Sequence, residues 1–230
     1  MTDDRLSTTM CDYLVNIYRL AESKPNEDYV GTSELADQLA VSAPAVNRMV
    51  TKLRALGLLH HERYQGIALT DDGKRAALKQ LRRHRIVETF LVEVMGFGWH
   101  EVAHEAERMG SELGEKLLTR MSEMAGNPTH GPHGDPIPGP DGELPPVEDR
   151  PLAVATPEQD YRVTRITTHE ADRLEYIAAL GLKPGETFRL LHAAPFNGPL
   201  QLQLGREYRI IGFNLAEIIH VQPLSATDNA

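Results

Sequence analysis

The sequence predicts an α+β chain built in three parts: an N-terminal winged helix-turn-helix, a helical middle and a C-terminal SH3-like small β-barrel. Three observations carry this reading. Apolar residues recur at helical spacing in three segments before Gly57, and two short strand-like runs follow. Two longer helical stretches then reach about Ala125, and beyond a segment dense in proline and glycine the apolar residues fall into five runs of strand length.

Tyr13, Leu14, Ile17, Tyr18 and Leu20 place a first helix from near Thr8. Thr32 or Ser33 is the expected cap of a second, with Leu35, Ala36 and Leu39 inward, and Ser42 the expected cap of a third, with Pro44 in its first turn. That third helix turns Val46, Met49, Val50 and Leu53 inward and leaves Asn47, Arg48, Thr51 and Lys52 outward, and Gly57 ends it. Leu58–Arg63 and Ile67–Thr70, joined by Tyr64, Gln65 and Gly66, read as a hairpin. A long helix from about Lys74 to Val94 is broken by Gly96–Gly98, and Trp99 opens another running to about Ala125. Between Gly126 and Pro151 stand five glycines and eight prolines in 26 residues, the composition of a linker or of an ordered loop wrapped on the surface. Strands are expected at Tyr161–Ile166, Thr187–His192, Leu200–Leu204, Tyr208–Gly212 and Ile218–Pro223, with a helix at Leu174–Leu180.

The 230 residues suffice for two or three domains. No apolar run approaches the ~20 residues of a membrane span, and Met1–Ser7 is too acidic and polar for a signal peptide, so a cytoplasmic chain without a membrane partner is expected. A single cysteine, Cys11, excludes an intramolecular disulfide framework and any Cys-based zinc ribbon. The net charge of −9 argues against indiscriminate coating of nucleic acid, but it is unevenly spread. Ser42–Arg85 carries ten Lys/Arg against three acidic residues, a net +7, which leaves −16 for the remainder.

A helix, a tight turn, a second helix with an exposed polar side and then a hairpin make a device that fits a major groove and anchors phosphates. Ser42, Pro44, Ala45, Asn47 and Arg48 would lie at the bases or their flanking phosphates, with Thr51, Lys52, Arg63, Tyr64 and Gln65 on the backbone. The alternative is a three-helix packing unit without a ligand, but the basic window falls on this same segment.

Metal-ligand spacings also occur. His84 and Glu88 share a face of the long helix, and His100, His104, Glu107 and Ser111 fall on one stripe of the next, with Glu105 beside it. The alternative is a solvated ion-pair face, since Arg82, Arg83, Arg85 and Arg108 lie nearby. His100–His104 also reads HEVAH, the HExxH pattern of zinc metalloproteases, with Glu101 as the general base. No other nucleophile-and-base arrangement or phosphate-cradling spacing is apparent, and no small organic substrate is expected. Cys11, Trp99, His130 and His133 are expected to be structural.

Several runs, in order, resemble the diphtheria toxin repressor and manganese transport regulator family: CDYLVNIYRL, VSAPAVNRMVTKLRALGLL, ERYQGIALTDDGK, RRHRIVETFLVEVMGFGW and NPTHGPHGDPIPG. The resemblance covers essentially the whole chain. It implies a metal-activated, homodimeric repressor of metal-uptake genes that binds double-stranded operator DNA. It also implies a winged-helix domain over 1–75, a helical dimerisation and metal-binding domain over 76–126, a linker over 127–158 and an SH3-like (FeoA-like) domain over 159–225. By the same resemblance Asp12 and Glu107 stand where manganese-responsive members carry oxygen donors, which points to Mn2+, with Fe2+ as the alternative and Zn2+ as an in vitro ligand. His84 and Glu88 match ligands on the long helix, and Glu170 a carboxylate lent by the third domain. The resemblance fails at three donor positions, occupied here by Ala103, Gly110 and Ser111. Either the site is rebuilt from His100, His104, Glu105 or Glu112, or metal binding is weakened or lost; a rebuilt site is the expectation adopted.

Overall fold

The computed structural model describes residues 6–22, 24, 29–110 and 113–224. The chain divides into two compact units: Met1–His84 with Gly110–Glu112 and Pro138–Leu144, and Arg85–Met109 with Leu113–Ile137 and Pro145–Ala230.

The first unit holds α1 (Thr8–Glu22), α2 (Thr32–Gln38), α3 (Ala43–Ala55), the hairpin β1 (Leu59–Glu62) and β2 (Gly66–Leu69), and the first half of α4 (Asp71–Glu93). The apolar stripes close on one another: Met10, Leu14 and Ile17 of α1, Leu35 of α2, Val46, Val50 and Leu53 of α3, Ile67 of β2 and Leu81 of α4 share one core. Each such side chain removed from water is worth about 1.5–3 kcal/mol before entropy is charged against it. Val30 adds a further rung beside β2, exchanging both backbone hydrogen bonds with Ile67.

Two helix starts differ in detail from expectation. Gly31, not Thr32 or Ser33, is the N-cap of α2. Ser42 holds the N-cap of α3 in extended backbone, but its hydroxyl makes no capping bond; its carbonyl accepts from Ala45 and Val46 while Pro44 fills the first turn. The other end of α3 follows the glycine logic. Gly57 takes φ +74°, its N–H donates to Arg54 and that of Leu58 to Leu53, so the last carbonyls are satisfied as the chain turns into β1.

The second unit holds the rest of α4, then α5 (Val102–Gly110), α6 (Glu115–Met124) and an antiparallel sheet in the order β3-β8-β4-β5-β6-β7. The strands are β3 (Arg150–Pro151), β4 (Gln159–Ile166), β5 (Thr187–Ala193), β6 (Leu200–Leu204), β7 (Glu207–Ile211) and β8 (Ile219–Pro223), with α7 (Ala171–Ala179) after β4 and α8 (Phe213–Ile218) before β8. Tyr161, Leu152, Leu174, Leu190 and Val221 fill its interior, and Trp99 packs into the same cluster. Ile86, Val87, Leu91, Val102, Leu118 and Ile137 form a separate helical core.

The single helix expected over Trp99–Ala125 is two. Trp99–Glu101 is a turn, α5 begins only at Val102, and Gly114 is the N-cap of α6. Gly110 and Gly114 lie close together, and glycine costs about 1 kcal/mol per helical position relative to alanine, so the apolar stripe continued where the backbone could not. The six-residue α8 and two-residue β3 were not foreseen, being too short to show a period. The Pro/Gly segment is ordered, with a turn in which Gly131 N–H donates to Asp135 and Ile137 N–H to Thr129. Arg85 Nη1 donates to the Pro136 carbonyl at 2.6 Å, which pins that turn to α4.

Candidate nucleic-acid interface and metal-ligand cluster

The residues expected to contact DNA lie on α3 and the β1–β2 turn. Ser42, Pro44, Asn47, Arg48, Thr51 and Lys52 are exposed and Ala45 is half-buried, while Val46, Val50 and Leu53 on the opposite face are buried. Thr51 Oγ1 donates to the Asn47 carbonyl at 2.8 Å, so this hydroxyl is engaged with its own helix. At the hairpin tip Arg63, Tyr64 and Gln65 are all exposed; Tyr64 adopts φ +69° and is 93% exposed, and the Arg63 guanidinium lies 5.1 Å from the centre of its ring. A large aromatic stacked under a cation in solvent suits contact with a phosphate backbone better than it suits packing.

The expected metal residues are scattered more widely than their sequence spacing suggests. His84 and Glu88 stand one turn apart on α4, the first half-buried and the second only 2% exposed. His100 lies in the turn before α5 with Nε2 3.9 Å from Glu101 Oε1, and Glu101 Oε2 accepts from Gly98 N–H. The HExxH reading requires both histidines on one helical face with the glutamate free as a base, and this turn provides neither. His104 is exposed, and Glu105 pairs with Arg108 at 3.6 Å. Glu170 is also exposed and accepts from Arg173 Nε at 2.8 Å, an ion pair on the first turn of α7. Among the described residues, His100, His104 and Glu105 are not brought together into a cluster of metal-ligand atoms. The Glu107 side chain and Glu112 lie outside the described residues. Asp12 sits on α1 beside half-buried Cys11, whose thiol pKa is pushed up first by burial and then by the Asp12 charge, as befits a packing thiol.

The cluster that does form joins Glu88 to two histidines not assigned as ligands, His133 and His169. One ligand atom from each lies within 4.8 Å of the other two. Glu88 and His133 are buried, and His169 is exposed. His133 Nε2 is 2.8 Å from the Trp99 carbonyl; since a carbonyl only accepts, Nε2 carries the proton and Nδ1 is the atom turned toward Glu88 Oε1, 4.0 Å away. The His169 ring meets His133 edge-on, with centroids 5.7 Å apart. His169 comes from the β4–α7 turn, next to the glutamate the resemblance had indicated, and His133 from the Pro/Gly turn that Arg85 holds against α4. Their positions follow from loop closure rather than from spacing along one element. The only available signal was the occurrence of histidine in both segments.

A winged helix-turn-helix, a helical module and an SH3-like sheet domain define a DNA-binding regulator of modular build. Residues 5–67 match the family model "Iron dependent repressor, N-terminal DNA binding domain", 70–139 the model "Iron dependent repressor, metal binding and dimerisation domain", and 150–223 the FeoA domain. The iron-dependent repressor IdeR of Mycobacterium tuberculosis is 35% identical over 127 residues, 55% of this chain and 54% of that protein. The aligned stretch thus spans about half the length of such curated relatives. A solved structure described as a manganese-dependent transcriptional repressor in complex with manganese superposes with a TM-score of 0.85 at 34% identity, over 94% of this chain and all of the other. ScaR with bound Zn2+ superposes at 0.79 and 30% identity, over 94% and 99%. The chain belongs to the iron-dependent repressor family, that of the diphtheria toxin repressor, whose members are metal-dependent transcriptional repressors.

Proposed function

We propose that this chain is a cytoplasmic, homodimeric, metal-dependent repressor that binds double-stranded operator DNA and controls metal-uptake genes. The observation that carries the reading is the fully exposed polar face of α3 joined to the exposed Arg63–Tyr64–Gln65 tip, within the one strongly basic window of an acidic chain. The manganese-bound and zinc-bound relatives and the iron-dependent ones support Mn2+, Fe2+ and Zn2+ as candidate ions. Mn2+ is favoured by the hard oxygen donors Asp12 and Glu107. An ion that binds one dimer arrangement better than another selects it, and a two-fold dimer reads half-sites only when its two recognition helices have the right separation.

The test is binding of the metal-stripped chain to duplexes from upstream of its own gene and of metal-transporter genes, titrated separately with Mn2+, Fe2+ and Zn2+. Binding that appears only with metal, and at the lowest concentration with Mn2+, is the expected result. Binding indifferent to metal would leave a DNA-binding protein whose switch is something else.

A further inference from the structure

We propose that β7 is the docking edge for a second copy of this chain, with two β7 strands pairing antiparallel about a two-fold axis at Tyr208 and joining their sheets into one. This goes beyond the repressor reading, which makes no use of the outer edge of the sheet.

The two edges of the sheet are finished differently. β3, at one end of the strand order, is two residues long and ends in Pro151, and so short a strand with proline in it is a poor template for another. β7, at the other end, runs for five residues without proline or bulge, and among the described residues it pairs with β6 alone. Leu204 and Glu207 close a two-residue turn in which Gly205 takes φ +58°. Glu207, Arg209 and Ile211 therefore bond to β6, while the backbone N–H and C=O groups of Tyr208 and Ile210 point outward. The Tyr208 carbonyl accepts from Arg209 Nη1 and keeps its second lone pair.

The side chains of the strand suit a second copy. Tyr208 and Ile210 share one face and are 60% and 69% exposed; among the described residues no other strand of this sheet exposes a large apolar side chain. Glu207 and Arg209 share the other face and already pair, Oε2 to Nη2 at 2.5 Å, so the edge carries no net charge to repel its like. With the axis at Tyr208, each Glu207 lies opposite Arg209 of the second copy and four charges alternate in sign. On the other face Tyr208 meets Tyr208, with Ile210 on the diagonals. An axis at Arg209 would set two guanidiniums opposite each other, and that repulsion selects the first register. The donors suffice for it. Of the five guanidinium N–H groups, three go to the Leu180 carbonyl, the Tyr208 carbonyl and Glu207, which leaves two for a second carboxylate.

A five-residue edge buries well under the roughly 800 Å² per partner of a stable interface, so the pairing is weak in free solution. It gains where copies are held close together, as on neighbouring operator sites, a consequence that alone rests on the repressor reading.

The test is sedimentation velocity of the full, metal-stripped chain without DNA over a wide concentration range, with hydrogen exchange at the β7 amides on the same samples. Wild type should show a concentration-dependent species of twice the mass of its smallest stable form, and the Tyr208 and Ile210 amides should gain protection as it appears. Ile210→Pro removes an outward N–H and no ladder bond, and should abolish that species. Glu207→Arg sets like charges opposite each other and should weaken the association at least tenfold, whereas Glu217→Arg, the same charge change on exposed α8, should leave it unchanged. Circular dichroism verifies that each variant folds. A wild type of one mass at all concentrations, or an association indifferent to both β7 variants, would overturn the pairing. Because the readout contains no DNA, a chain that binds no operator but forms this species keeps the edge, and one with metal-dependent operator binding but no such species loses it.

Discussion

Asp149 and Arg165 form a two-pronged ion pair, Nε to Oδ2 at 2.9 Å and Nη2 to Oδ1 at 3.0 Å, which fastens the segment before β3 to the C-terminal end of β4. Thr164 Oγ1 also donates to Oδ2, and His220 Nδ1 of β8 lies 2.8 Å from Oδ1, so a carboxylate with a 3% exposed side chain is satisfied from two neighbouring strands. Burial pushes the Asp149 pKa up, but the hydrogen bonds from His220 and Arg165 and the charges of those two groups outweigh it and hold the carboxyl well below the usual range. A depressed folded-state pKa contributes stability above the unfolded value of about 4, and that stability is lost as pH falls from there toward the folded value. Denaturant melts from pH 7 down to pH 3 should show a steep loss below about pH 4 that Asp149→Asn flattens. At pH 7 the same substitution should cost about 2–3 kcal/mol, because it removes the charge-assisted hydrogen bonds that Arg165 and His220 make to one buried carboxylate.

Gly73 sits in the first turn of α4 where the helix lies against the end of β1. A Cβ there would collide with the Leu58 carbonyl and crowd Leu69. Its φ is ordinary, so the constraint is close approach rather than backbone conformation. Gly73→Ala should destabilise the first unit by about 1–3 kcal/mol through forced displacement, despite alanine's higher helix propensity. A chain with unchanged or raised thermal stability would refute this packing argument.

Arg48 and Arg63 stand on different parts of the proposed DNA surface, one on α3 and one at the hairpin tip. Arg48→Ala should cost about 1–3 kcal/mol and relax base preference at one operator position, whereas Arg63→Ala should weaken all duplexes alike and reduce the salt dependence by about one counterion. Binding measured at several salt concentrations, to operator and to scrambled duplex, separates the two. Equal effects would erase the division between reading and anchoring.

The winged helix was legible because its information is local. Leu14, Ile17, Val46, Val50 and Leu53 each lie on a stripe whose period names the element, and Gly57 marks a turn that only positive φ allows. The break between α5 and α6 was obscured for the converse reason: Val102, Ala106 and Leu118 continue an apolar stripe across Gly110 and Gly114, so the pattern outlasted the helix. In the metal cluster Glu88 could be picked out by its helical spacing from His84. His133 and His169 could not, since a proline-rich turn pinned by Arg85 and the connection between β4 and α7 bring them to it. His100, His104 and Glu105 have favourable spacing in the sequence, but α5 begins only at Val102, so His100 stands in the turn before the helix that carries the other two.

Asp12 offers a direct test of metal as a switch. It lies half-buried on α1, where its carbonyl accepts from Asn16 Nδ2, and it is not one of the apolar residues that fill the core beside it. Asp12→Ala should leave the metal-stripped chain folded and dimeric and abolish the Mn2+ dependence of operator binding. Circular dichroism and sedimentation of the variant, beside operator binding with and without Mn2+ on the same preparation, read fold and switch separately. An Asp12→Ala chain that still responds to Mn2+ removes Asp12 from the switch.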